Sequence, residues 1–142
     1  MTDLDEQDKR IANILLGEDR ISKVSDKALK MYFAYLKANL KFPCHLTGIE
    51  DFQWEERYVF GYGSKEEYEK LKKTRPSYTD TFKLMDFNEE LCCREYGLFV
   101  DVKRISDNKK FTLPLADLEA TDQHSANYQL LDDYAVWFVN YR

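Results

Sequence analysis

Glycine, proline and cysteine are all scarce in this chain, at five, three and three among 142 residues. No glycine follows Gly97, and neither a glycine-rich phosphate loop nor a G-x-S-x-G nucleophile elbow occurs, which removes two common signatures of nucleotide binding and hydrolysis. The EF-hand loop, with alternating acids, a central glycine and a closing glutamate, is also absent. The cysteines, Cys44 and the neighbours Cys92 and Cys93, are odd in number and lack the spacing of a disulfide framework, which fits a reducing compartment. Cys44-His45 with Cys92-Cys93 makes a poor zinc site, because adjacent ligands rarely reach one tetrahedral ion and no C-x-x-C or H-x-x-x-H spacing is present. Nothing brings a cysteine and a histidine together as a nucleophile pair. No enzyme is expected, and the thiols read as core. Long apolar runs are missing too. The opening residues MTDLDEQDKR are acidic and no later run approaches the length of a membrane span, so the reading is a cytoplasmic protein without a membrane partner.

Charge and aromatics are plentiful. One third of the residues are charged, the net charge is −5 and the pI is about 5.1. Nucleic-acid binding draws its affinity from clustered Lys and Arg, so this balance argues against a nucleic-acid partner and makes cations the natural clients. Aromatic residues at 15% indicate a packed interior, and 142 residues suffice for one domain that needs no disulfide or metal to fold.

Taken in order, Thr2 with Asp5 forms a weak capping box for a first helix carrying Leu4, Ile11, Ile14 and Leu15, with Gly17 as its left-handed stop. Ser25 or Asp26 caps a second helix with Leu29, Tyr32, Phe33, Leu36 and Leu40 on its apolar face, and Phe42-Pro43 ends it. Tyr58, Phe60 and Tyr62 then alternate, which predicts a strand over Trp54 to Tyr62. Ser64 with Glu67 opens a surface helix closed by Pro76. Thr81 to Phe87 reads as a strand, and Gly97 to Leu115 as a hairpin turning at Ser106-Asp107-Asn108. Leu118 and Ala120 continue extended, and Ser125 or Asn127 caps a final helix. The expected fold class is α+β in a single domain. It comprises N-terminal helices over about 1–41, a β-rich core over about 42–122 forming a small bent antiparallel sheet or SH3-like barrel, and a closing helix over about 125–141.

The last third is chemically distinct. Between Phe111 and Tyr141 there is no Lys or Arg, while Asp117, Glu119, Asp122, Asp132 and Asp133 supply five carboxylates. Asp117 and Glu119 lie two apart on an extended segment and share a face, Asp122 follows at the turn, and Asp132 and Asp133 fall in the first turns of the last helix. Acids there also favour the helix dipole, by about 0.3–1 kcal/mol each, with no metal required. A second group, Glu50, Asp51, Glu55 and Glu56, reads as a solvated turn.

The residues Pro114-Leu115-Ala116-Asp117-Leu118-Glu119 and Asn127-Tyr128-Gln129-Leu130-Leu131-Asp132-Asp133-Tyr134-Ala135-Val136-Trp137-Phe138 resemble the C-terminal signature of the bacterial CcbP-type calcium-binding family. The resemblance implies Ca2+ as the ion, Asp117, Glu119, Asp122, Asp132 and Asp133 as its candidate ligands, and a non-enzymatic buffer or weak sensor of low affinity. Removal of those acids is then expected to raise stability by relieving repulsion. The alternative is a metal-free module that recognises a protein partner or peptide through an SH3-like sheet surface, with Tyr58, Tyr62 and Tyr96 as its exposed aromatics.

Overall fold

The structure, a computed structural model, describes residues 5–17 and 20–142. In chain order the elements are α1 (Glu6–Ile14), α2 (Asp26–Asn39), β1 (His45–Gly48), a 3-10 turn (Gln53–Glu55), α3 (Glu56–Val59), α4 (Lys65–Leu71), β2 (Phe82–Cys93), β3 (Gly97–Arg104), β4 (Lys110–Pro114), a second 3-10 turn (Leu115–Asp117), β5 (Leu118–Ala120) and α5 (Ala126–Asn140). The fold is α+β, as expected. Its five strands pair antiparallel in the order β4-β3-β2-β1-β5, and the sheet is open, with β4 and β5 as its edges rather than partners closing a barrel.

The helices follow their caps. Asp5 accepts a hydrogen bond from Asp8 N–H at 2.7 Å and starts α1; the capping box drawn on Thr2, with Leu4, lies outside the described residues. The left-handed residue that ends α1 is Leu16, φ 58°, not Gly17, which instead sends its N–H back to Ala12 O at 2.8 Å. Ser25 caps α2 and Ser125 caps α5, each through its hydroxyl. Asn127 spans to the far end of α2: its amide accepts from Lys41 N–H at 2.9 Å and donates to Lys41 O at 2.8 Å, so one side chain pins the end of α2 to the start of α5.

β2 runs longer than its sequence pattern. Phe82, Leu84 and Phe87 are all buried, a spacing of two and then three, because the register with β3 slips between Leu84 and Asp86. Such a bulge bends the strand and turns Phe87 inward, where it meets Phe33 of α2 edge to face at 5.0 Å. β1, only four residues, carries too short an alternation to be read alone, yet it joins β2 to β5.

The strand expected over Trp54 to Tyr62 does not form; α3 and its preceding 3-10 turn take that place. The deciding spacing is four, not two. Trp54 and Tyr58 share one helical face and meet Tyr68 of α4, with Tyr58 stacked on Tyr68 at 5.1 Å, whereas Phe60 and Tyr62 stay in solvent. The α4 segment is held to the sheet by Arg104, which sits at the last inward position of β3. Its guanidinium donates to the carbonyls of Lys72, Lys73 and Arg75 and to Asp80 and Asp107.

The core lies between the sheet and the helices. Tyr32 of α2 stacks on Trp137 of α5 at 4.9 Å and meets Tyr134 edge to face at 5.2 Å. Cys44 is buried in this core, and burial pushes its thiol up to about 11, as befits a packing residue. Among the described residues no helix is long and apolar enough to cross a membrane.

Tyr134 also closes the β2–β3 hairpin onto α5, since its hydroxyl accepts the buried Leu98 N–H at 2.8 Å. Tyr134→Phe keeps the ring and leaves that N–H without its partner, which is expected to cost about 1–3 kcal/mol in urea unfolding. An unchanged midpoint would show that the bond carries nothing.

Candidate metal centre

The five carboxylates singled out in sequence fall in three different settings. Asp133 is 1% exposed and belongs to the interior: it accepts two hydrogen bonds from Arg10, at 2.8 and 3.0 Å, and one from Gln7 at 2.9 Å. It docks α1 on α5. Asp122 shapes the turn into α5, its side chain accepting from His124 N–H at 3.0 Å and its carbonyl from Ser125 Oγ at 2.7 Å. Glu119 stands on β5 opposite Thr47, beside Tyr128, whose phenol it pushes up.

Asp117 and Asp132 remain, and they line one cleft of about 710 Å3. Four further carboxylates line it: Glu50, Asp51, Glu56 and Glu95. Among the described residues its one lining cation is Arg142, held over the Phe138 ring at 4.7 Å and bonded to Glu95 O at 3.2 Å. Ile49, Ala116, Val136 and Phe138 supply apolar walls.

Local structure explains who faces the cleft. Asp117 ends the second 3-10 turn instead of lying on an extended segment, so it does not share a strand face with Glu119. Its backbone carbonyl accepts Ile49 N–H at 3.0 Å, which brings the loop carrying Glu50 and Asp51 alongside. Asp132 and Asp133 sit in the middle of α5, away from its first turn, so the helix dipole explains neither. Successive helical residues are about 100° apart; one acid therefore enters the interior and the other reaches the cleft, where Asp132 keeps one bond, from Gln7 at 3.1 Å. Glu55 and Glu56 divide in the same way. Glu55 is fully buried and accepts from Phe52 and Tyr78 N–H and from the Tyr68 and Ser77 hydroxyls, while Glu56, the next residue, lines the cleft.

The electrostatics of the cleft register at Asp117. Its carboxyl is raised above the ordinary 3.8, chiefly by the surrounding protein and secondarily by repulsion from Glu50. The side chain is open to solvent, but it stands within a concave wall that leaves water fewer positions than a convex surface would. The donor chemistry suits a hard cation: the potential ligands lining the cleft are oxygen donors, six of them carboxylates, with no thiol or imidazole among the lining residues. Among the described residues, however, no three His, Cys, Asp or Glu side chains stand close enough to form a ready ligand cage.

The calcium-binding family model of the CcbP type matches residues 64–138, more than half of the chain. The chain belongs to the CcbP calcium-binding family. The matched span holds the five acids from Asp117 to Asp133 and leaves out the loop with Glu50, Asp51 and Glu56. Two solved structures share the fold. The crystal structure of Anabaena CcbP is 18% identical, with a TM-score of 0.59 over 96% of this chain and 92% of that one. A calcium-binding protein in its calcium-binding form is also 18% identical, with a TM-score of 0.56 over 94% and 89%. No curated protein matches.

Two substitutions separate the interior acid from the cleft acid. A carboxyl whose pKa is raised on folding loses stability as pH rises from its unfolded value through its folded one. Asp117→Asn is therefore expected to raise Tm at neutral pH, with the gain vanishing below about pH 3.8. Asp133→Asn breaks a charged fork in the interior and is expected to cost about 1–3 kcal/mol, the reverse of the gain anticipated from sequence. Equal signs for the two variants would contradict this division.

Proposed function

We propose that this member of the CcbP family binds Ca2+ in the cleft between the loop 49–56, the second 3-10 turn and α5, with Asp117 and the neighbouring Glu50 as direct ligands and Asp132 reaching the ion through water. The carrying observation is the concentration of six carboxylates around one cleft that a single arginine opposes. Calcium takes six to eight oxygens and tolerates irregular geometry, so carboxylates spread around a cleft bind it with water completing the shell. Of the five acids expected from sequence, Asp117 and Asp132 stay in the proposed site. Asp133 serves the fold through Arg10 and Gln7, and Glu119 and Asp122 flank the cleft without lining it.

A site lacking a tight ligand cage belongs at the weak end of calcium affinities, with Kd on the order of 10⁻⁵–10⁻³ M. That range suits a non-enzymatic cytoplasmic buffer or weak sensor, able to load and release the ion as its concentration changes. The sheet-surface peptide module finds little support in the placement of its aromatics. Tyr58 is stacked on Tyr68 and, like Tyr62, stands outside the sheet, on the α3–α4 segment; Tyr96 lies in the β2–β3 turn.

Calorimetric titration of the chelator-treated protein tests the reading. Saturable heat with calcium, little with magnesium, and a loss of affinity of about tenfold or more in Asp117→Asn with Asp132→Asn are the expected outcomes. Binding is also expected to weaken as pH falls toward the carboxylate range, where protons compete with the ion for the raised Asp117 carboxyl. A flat trace to millimolar calcium would sink the reading.

A further inference from the structure

The loop after α3 carries Phe60 and Tyr62 on either side of Gly61, exposed to 68% and 80%, with Val59 half-exposed beside them. Trp54, Tyr58 and Tyr68 form a ring cluster behind them, but neither Phe60 nor Tyr62 stacks on another ring among the described residues. The tip is nevertheless well formed. Gly61 adopts φ 84°, its N–H returns to Tyr58 O at 3.1 Å and Tyr62 N–H returns to Arg57 O at 2.7 Å, the paired bonds of a Schellman closure. In that closure the residue after the glycine ordinarily folds back onto the helix; here Tyr62 projects into solvent. A Cβ placed on Gly61 meets no atom within 4 Å, so the apex stands free.

Cations surround the base of this tip. Arg57 lies over Tyr58 at 5.3 Å, Lys72 over Tyr68 at 4.2 Å and Arg75 over Trp54 at 5.6 Å. Between Arg57 and Arg75 there are six Lys or Arg against three Glu, in a protein whose net charge is −5. The acidic total therefore conceals a locally basic segment, within which Lys72 also pairs with Glu69 at 3.4 Å.

We propose that the α3–α4 loop is a docking tip for an anionic lipid surface, with Phe60 and Tyr62 entering the interfacial layer and Arg57, Lys72 and Arg75 facing the headgroups. Tyr62, apolar along its ring and polar at its hydroxyl, favours that layer, and Phe60 adds apolar area to bury in it. Lys and Arg near an anionic leaflet add an attraction that salt screens. The shape also favours lipid over a protein partner. The two rings project outward from a convex apex, which a protein must meet with a matching pocket and a bilayer accepts without one.

α3 couples this tip to the cleft. Its first residue, Glu56, lines the cleft, and its last, Val59, leads into the tip about 5 Å further along the helix axis. Carboxylates so near an anionic surface repel it, and calcium in the cleft removes that repulsion. This calcium dependence rests on the function proposed above; the docking itself does not.

Vesicle flotation tests both parts. Vesicles of phosphatidylglycerol and phosphatidylcholine in equal parts are compared with phosphatidylcholine alone, in calcium and in chelator. The expected result is binding to the anionic vesicles only, weaker at high salt, stronger in calcium, and reduced about tenfold in Phe60→Ser with Tyr62→Ser while Tm is unchanged. No binding to anionic vesicles in either condition, as a protein-docking tip would give, overturns the proposal, and so does undiminished binding by the double variant. Tip-dependent binding that ignores calcium overturns the coupling alone, and calcium calorimetry without vesicles shows whether the fault lies in the ion site or in the link.

Discussion

The arrangement of both the cleft and the tip depends on the burial of Glu55. A carboxylate removed from water must have its lone pairs satisfied, and here Oε1 receives the Tyr68 and Ser77 hydroxyls while Oε2 receives the Phe52 and Tyr78 N–H groups. Those donors come from three separate pieces of chain: the loop before α3, α4, and the approach to β2. One side chain therefore sets the relation of all three. With the loop fixed at Phe52, residues 50 and 51 are carried to the cleft; with Tyr68 fixed, α4 packs its ring against Tyr58 and leaves the next turn of chain outside.

Arg104 performs the complementary task from the sheet side. It takes an inward position on β3 that would ordinarily hold another valine or leucine, and it spends its donors on the carbonyls that end the α4 segment and on Asp80 and Asp107. The bond from Arg104 holds the Asp107 carboxyl down to about 2. Two buried charges of opposite sign, Glu55 and Arg104, thus fasten one insertion at both ends. Neither pairs with the other: Glu55 is satisfied by hydroxyls and backbone N–H groups alone, and Arg104 by backbone carbonyls as well as by Asp80 and Asp107, so the segment is positioned by directional bonds more than by attraction between ions.

Long periodic elements were the legible part of the sequence. α2, α5 and the β3–β4 hairpin each repeat their apolar spacing often enough to settle type and face. α3 is hidden in the sequence because Tyr58, Phe60 and Tyr62 imitate a strand, whereas the residues that fold it, Trp54, Glu55 and Tyr58, find their partners at Tyr68, Ser77 and Tyr78, across a distance no local pattern records. The acids were harder still. Asp132 and Asp133 are chemically identical neighbours, as are Glu55 and Glu56, and in each pair one residue is structural and the other faces the cleft. Composition shows how many carboxylates exist; only the helix phase and a distant donor decide which are already taken. For the same reason Glu50 and Asp51 read locally as an ordinary solvated turn, and only the bond from Ile49 N–H to the distant Asp117 carbonyl brings them to the cleft.

This division of labour also bears on affinity. The two buried acids, Glu55 and Asp133, are withdrawn from the ion by their hydrogen bonds, and the acids left to the cleft are too dispersed to form a cage. In the proposed site, dispersal limits the repulsion the protein carries without calcium, and an ion entering the cleft retains much of its water and relieves only modest strain, chiefly at Asp117 beside Glu50. Under the proposed function, weak binding follows from this dispersal. Tightening the site by adding an acid would raise the cost of the empty state as well as the affinity, because the new charge would add to the repulsion already felt at Asp117.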